Sequence, residues 1–175
     1  MSKCKICRAE YERKYLTQST CGAAECNQEL KRQKELKKAR RAEYTERKEK
    51  LKTLSDYHKE TQIECNRYIR ERDKKDSCIS CGRHHEGQWH AGHYRSIGAA
   101  PELRYNEDNI HKQCAPCNNH KSGNILEYRI SLIRKIGVER LEYLEGYHEP
   151  AKWTIDELIA LKAHYRAKLK GLQKV

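Results

Sequence analysis

The first third of the chain has almost no apolar periodicity, whereas the rest carries short, well-separated runs of it. Between Glu29 and Lys50 the apolar residues are only Leu30, Leu36, Ala39, Ala42 and Tyr44. They do not sustain a heptad, so no coiled coil is predicted. The same stretch lacks Gly and Pro and is rich in strong helix formers, which predicts a long solvated helix. A second helix is expected from Ser55 as N-cap, with Asp56 in its first turn, to about Asp73; Ile63, Tyr68 and Ile69 are its packing residues. A loop-rich stretch follows, with short strands near 88–94 and 109–113 and a helix beginning just after Cys117. Residues 125–136 continue that helix or open a new one after Gly123, with Ile130, Leu132, Ile133 and Ile136 apolar and Gly137 as the stop. Residues 138–144 make another short helix, and Pro150 ends that unit. Thr154 then caps a last helix bearing Leu158, Leu161, Tyr165 and Leu169, with Asp156 and Glu157 in its first turn.

The cysteines explain how so little apolar material could hold a fold. Cys78-x-x-Cys81 and Cys114-x-x-Cys117 stand 32 residues apart, and Cys4-x-x-Cys7 is followed by Cys21 and Cys26. A Cys-x-x-Cys turn aims two sulfurs at one point, and two such turns supply the closed tetrahedral set of a structural Zn²⁺ site. Two structural zinc ions are therefore expected. Disulfides are the alternative, but they suit short secreted chains, and no apolar leader precedes the first knuckle. Cys65 is left over within a helical stretch and reads as a buried thiol acting as a small hydrophobe. The predicted fold class is mainly α, with small zinc-stabilised α+β elements. Its parts are an N-terminal Cys₄ finger (1–28), a basic helical segment (29–75), a zinc-bearing core (76–136) and a C-terminal helical segment (137–175).

Charge narrows the partner. The chain has 175 residues, no Phe, 35% charged residues and a net charge of +12. Such a chain makes a modest core, for which metal staples can substitute. The positive balance suggests a polyanion, nucleic acid before an anionic membrane face. No run approaches the ~18 apolar residues a membrane span needs, and a soluble cytosolic chain is expected. Residues 31–52 hold eleven Lys or Arg against four Glu, about +7 in all. They read as a solvated face held by i,i+4 pairs such as Glu43–Arg47, or as a rod lying along phosphates through Lys37, Lys38, Arg40 and Arg41. The two readings are compatible.

The candidate chemistry lies between the second pair of knuckles. Phosphodiester hydrolysis needs an activated water, a cation on the scissile phosphate and stabilisation of the leaving 3′ oxygen. A neutral histidine takes a proton near neutral pH. A hard divalent ion such as Mg²⁺ keeps several waters, so one or two protein ligands suffice. His93 at the end of the first strand, Asn109 opening the second strand and Asn118 just past the last knuckle fit that economy. The segment resembles the HNH (His-Me finger) nucleases of the zinc-bearing, ββα-metal, treble-clef-like kind. That resemblance implies His93 as general base, Asn109 as a brace for the loop carrying it, and Asn118 as a ligand of catalytic Mg²⁺ or Mn²⁺. The residue before the base is often Asp in that pattern; here it is Gly92.

Over nearly the whole length, the chain is similar to the NinG (Rap) recombination nucleases of lambdoid phages. The phrases Cys78-Ile-Ser-Cys-Gly-Arg, Ala91-Gly-His-Tyr-Arg95, Asn109-Ile-His-Lys-Gln-Cys114 and Cys117-Asn-x-His-Lys-Ser-Gly-Asn124 carry the likeness, with the N-terminal quartet and Trp153-Thr-Ile. It implies a structure-specific endonuclease cutting branched DNA, such as Holliday junctions and D-loops, in the host cytosol during infection. A homodimer and other phage recombination proteins are the partners expected beside the DNA. The resemblance also implies a carboxylate where His90 stands; His90 is the nearest candidate metal ligand, and imidazole suits Mn²⁺, Ni²⁺ or Zn²⁺ better than Mg²⁺. His120 and Lys121, placed at a helix start, and Arg95 and Arg104, on the loop between the strands, are candidate phosphate contacts. His111 either touches metal or phosphate or simply packs. His84 and His85 read as loop polarity, and His58, His148 and His164 as ordinary helix or loop residues. Two rival readings stand: a non-catalytic zinc adaptor that binds nucleic acid, and a sequence-reading HNH nuclease. The adaptor has no need of the His93–Asn109–Asn118 set.

Overall fold

A computed structural model describes residues 1–173. It divides into two compact units, residues 1–52 and residues 53 onward. The basic segment expected over 29–75 is thus shared between them.

In the first unit a small antiparallel pair, β1 (Ser2–Lys3) and β2 (Glu10–Tyr11), precedes one long helix, α1 (Ala24–Lys50). Cys26 lies in the first turn of α1 and is its one buried residue, so finger and helix share a ligand. At 1.5 Å per residue, α1 is about 40 Å long. It carries the ion pairs Glu29–Arg32 and Glu46–Lys50, and Glu49 pairs with Lys52 just past its end. This is how a helix with no apolar face persists in water.

The second unit is built around a hairpin of β3 (Trp89–His93) and β4 (Ile110–Cys114), antiparallel with Trp89 opposite Cys114 and His93 opposite Ile110. One face packs on α2 (Leu54–Arg72) and α5 (Ile155–Leu172) through Cys65, Tyr68, Ile69, Ile110, Leu158 and Tyr165. The other face looks toward α3 (Ile125–Ile136) and α4 (Val138–Glu145), where Tyr128, Leu132, Leu141 and Leu144 are fully buried. Ion pairs Lys162–Glu60 and Arg166–Glu64 tie α5 to α2. Buried Asp73 at the end of α2 accepts from Arg72 and from the Lys112 backbone, and pairs with Lys135. Burial alone would raise its pKa, but these partners hold the carboxyl below its usual range.

Several sequence expectations are corrected. The cap of α2 is Thr53, not Ser55: Thr53 is extended, its hydroxyl accepts from Asp56 N–H, and Asp56 answers to Thr53 N–H, a capping box. Thr154 and Glu157 repeat that box at α5, where the sequence placed Thr154 as the cap. Ile63 and Ile130 are exposed, whereas Tyr128, absent from the predicted packing set, is fully buried. No α-helix starts at Cys117. A single π-helical turn spans Pro116–His120, then Ser122, Gly123 and Asn124 all adopt positive φ, which a right-handed helix cannot continue. So α3 is a new helix after Asn124.

Candidate functional site

Each cysteine quartet brings its four Sγ atoms within 4.8 Å of one another, and each could hold one metal ion. All nine cysteines are free thiols, which sets the disulfide reading aside. Cys7 and Cys21 sulfurs lie 3.8 Å apart, Cys81 and Cys114 3.9 Å. A tetrahedron with ~2.3 Å metal–sulfur bonds has edges of about 3.8 Å. The first knuckle of each quartet turns alike: the residue after its second cysteine has positive φ, Arg8 at φ 62° and Gly82 at φ 66°. Beside the second quartet, His85 Nε2 reaches Cys81 Sγ at 3.2 Å, a contact that its reading as loop polarity missed. Cys65 is fully buried, and burial pushes its thiol up to about 12.

The second quartet fixes the ends of β3 and β4, and the hairpin carries the candidate set. His93, the last residue of β3, has Nε2 3.0 Å from the carbonyl of Arg104. A carbonyl only accepts, so Nε2 carries the proton and Nδ1 keeps the lone pair. Burial disfavours the imidazolium and lowers the His93 pKa; the bond to the Arg104 carbonyl opposes that shift, and the Arg104 charge adds to it. Asn109 is wholly buried just before β4. Its Oδ1 accepts from Arg95 N–H at 2.7 Å, and its Nδ2 donates to the carbonyls of Arg95 and Leu103 at 3.0 and 3.1 Å. It therefore ties both ends of the loop that delivers the Arg104 carbonyl to His93.

Asn118 sits in the π-helical turn, and with His93 lines an open cavity of about 530 Å³ whose walls include Tyr94, Arg95, Ser96, Ser122 and Gly123. His90 Nδ1 lies 3.2 Å from the Asn118 amide nitrogen. The structure thus brings Asn118 against His90 and onto the cavity lined by His93, with Asn109 behind the base. Arg95 lines the same cavity and also donates to the Leu144 and Glu145 carbonyls at the end of α4. Arg104 is engaged by Gln62 and lies over the Tyr105 ring. His111 leaves the set of possible DNA contacts: it is buried against Tyr128, and burial drops its pKa to about 3. His120 and Lys121 are exposed, but they end a π-turn rather than open an α-helix, so the helix-terminus argument for them falls. Lys37, Lys38, Arg40 and Arg41 are all exposed on α1.

The family profile described as Bacteriophage Lambda NinG protein matches residues 1–175. The chain belongs to the NinG family. Protein ninG of Escherichia phage lambda is 52% identical over 127 residues, covering 73% of this chain and 62% of the relative's length. Protein ninG of Escherichia phage 933W is 42% identical over 187 aligned positions, 98% of this chain and 93% of the relative. Protein ninG of Salmonella phage P22 is 50% identical over 127 residues, 73% of this chain and 63% of the relative. Against the lambda and P22 proteins, then, this NinG-family chain spans about three fifths of the relative's length. No solved structure matches it. Among the described residues no helix is long and apolar enough to cross a membrane.

Proposed function

We propose that this chain is a metal-dependent endonuclease of the HNH, ββα-metal type, cutting branched DNA such as Holliday junctions and D-loops in phage recombination. One observation carries the reading. A histidine with its tautomer fixed and its charged form disfavoured opens onto a cavity shared with Asn118, on a hairpin whose ends hold a cysteine quartet. Zinc is the ion proposed for both quartets, as a structural staple.

His93 Nδ1 takes the proton from a water, which attacks phosphorus as the bond to the 3′ oxygen breaks. Arg104's carbonyl holds the ring by accepting the Nε2–H hydrogen bond throughout, and Asn109 holds the loop that presents that carbonyl. His90 and Asn118 fit a second, divalent ion. The Asn118 amide nitrogen stands 3.2 Å from His90 Nδ1; with the amide turned over, its carbonyl oxygen would take that place beside the imidazole, a donor pair suited to a divalent ion. Gly92 contributes no ligand. Bound there, Mn²⁺ or Mg²⁺ would place positive charge on the scissile phosphate and the leaving oxygen. His120, Lys121 and the basic residues of α1 suit phosphates, which position a protein without reading sequence. Selection by DNA shape follows, with two symmetric cuts made most simply by a homodimer in the host cytosol. Other phage recombination proteins are further proposed partners. The exposed, basic α1 alone would also serve a non-catalytic adaptor.

The test incubates zinc-loaded protein with a four-way junction, its linear arms and single strands, with Mn²⁺ or Mg²⁺ and with neither. Junction cleavage that needs the divalent ion is expected. Binding without cleavage in every mixture would favour the adaptor, and equal cutting of linear arms in a sequence-dependent pattern would favour a sequence-reading nuclease.

A further inference from the structure

Among the described residues, two buried polar atoms in the hairpin have no hydrogen-bond partner, His90 Nε2 and Gln113 Oε1. They belong to residues directly opposite one another in the β3–β4 register. Such side chains leave the same face of a sheet with Cβ atoms about 5 Å apart. Gln113 is fully buried, and its amide cannot turn over. Its Nε2 donates to the Gly123 carbonyl at 2.5 Å and to the Ser80 hydroxyl at 2.6 Å. A carbonyl accepts only, so the nitrogen must face Gly123 and Oε1 must face away. Oε1 then lies 2.1 Å from where a Cβ on residue 92 would stand. Glycine at 92 is therefore the space into which the Gln113 oxygen projects; an Asp there would displace it.

On the other side of the ring, His90 Nδ1 meets the Asn118 amide. That amide nitrogen can only donate, so Nδ1 is the lone-pair atom and Nε2 carries the proton. An orphaned donor thus stands across the hairpin from an orphaned acceptor whose direction is fixed. We propose that Gln113 is a positioning residue that sets the tautomer of His90. Its Oε1 accepts from His90 Nε2–H, directly or through one water, and so presents Nδ1 with Asn118 as the ligand pair for the divalent ion. With the Asn118 amide turned over, Oδ1 would take the nitrogen's place, exchanging the nitrogen's bonds to His90 and to Asn119 Oδ1 for a shared ion. Metal-bound histidines ordinarily donate their second ring N–H to such an acceptor, which fixes orientation and raises ligand basicity. This rests on the nuclease reading for its purpose but not for its test.

Long-range ¹H–¹⁵N spectra of the zinc-loaded chain, with His90 assigned by substitution, report the tautomer. The Nε2–H form is expected in wild type, and the Nδ1–H form would overturn the proposal. Mn²⁺ titration followed by the electron paramagnetic resonance of free Mn²⁺ should find one site beyond the zincs. Gln113→Met, with unchanged zinc content, should weaken that site by roughly 10–100-fold and mix the two tautomers. Unchanged Mn²⁺ affinity, or no Mn²⁺ binding by wild type, would overturn the proposal. If Gln113→Met loses zinc, Gly92→Ala, whose Cβ displaces Oε1, is expected to give the same weakening; unchanged affinity there counts against the proposal equally. Mn²⁺ binding that depends on Gln113 without any DNA cleavage would defeat the nuclease reading alone. Cleavage with Gln113-independent Mn²⁺ binding would defeat this proposal alone.

Discussion

Replacing Asn109 with Ala should uncouple the candidate base from its support. The side chain makes three hydrogen bonds from a fully buried position, one from Arg95 N–H and one each to the carbonyls of Arg95 and Leu103. A buried polar group left without a partner costs about 1–3 kcal/mol. The Leu103 carbonyl keeps its bond from Asn106 N–H, so it loses only a net hydrogen bond of about 0.5–1.5 kcal/mol, and the half-buried Arg95 groups recover water and fall at the low end of the unpaired cost. The sum is roughly 2–4 kcal/mol, a large share of the ~5–15 kcal/mol that holds a domain. Asn109→Asp should be no milder. It keeps the acceptor but turns an oxygen toward two carbonyls and buries a charge. Both tryptophans, Trp89 and Trp153, lie in the second unit, so their fluorescence in urea at fixed zinc reports that unit alone. Among the molecules still folded, single-turnover cleavage should fall about 10²-fold, the scale of a ~1 Å misplacement of a catalytic group, with DNA affinity little changed. A stability loss under about 1 kcal/mol would refute the bonding analysis. A full stability loss with a normal rate per folded molecule would refute the claim that Asn109 supports His93.

Three further outcomes are expected. His93 has its pKa lowered by burial, so it stays neutral below the ordinary histidine value of about 6.5. The cleavage rate should therefore be flat above pH 6.5 and fall only as pH drops through the lower folded value; a rate–pH profile half-maximal above 6.5 would contradict this. Elemental analysis should find two zinc ions per chain, and Cys114→Ala should lose one of them together with the tryptophan signal of the folded second unit, because binding energy at such a site is folding energy. Neutralising Lys37, Lys38, Arg40 and Arg41 should flatten the log–log salt dependence of DNA binding by about 0.9 for each phosphate left without its cation; an unchanged slope would leave α1 a solvated rod.

The parts that were legible from sequence are those set by local chemistry. Cysteine spacing alone grouped both quartets, and Thr154 as a cap with acidic residues after it announced α5. The hairpin strands emerged within a residue or two of the expected positions because the knuckles bracket them. What stayed hidden depends on tertiary contact. Tyr128 is polar enough to read as surface, yet its hydroxyl is satisfied by the Gly92 carbonyl, which lets it sit fully buried. Ile63 and Ile130 are apolar at plausible helical spacing but fall on the outer sides of α2 and α3. Three positive-φ residues in a row, two of them not glycine, gave no breaker signal strong enough to separate the turn after Cys117 from α3. Gln113 was missed because nothing local marks it. Its one trace in the sequence is the glycine at 92, whose missing side chain leaves room for it. The Arg104 carbonyl that orients His93 is a backbone atom eleven residues away and leaves no signature in residue type.

The most direct measurement is the single-turnover cleavage of a four-way junction by His93→Ala, matched to wild type for zinc content, divalent ion and bound DNA. Loss of a general base should cut the rate by at least ~10²-fold while junction affinity holds. Cleavage at the wild-type rate would remove His93 from the chemistry, and with it the reading of this cavity as a nuclease site.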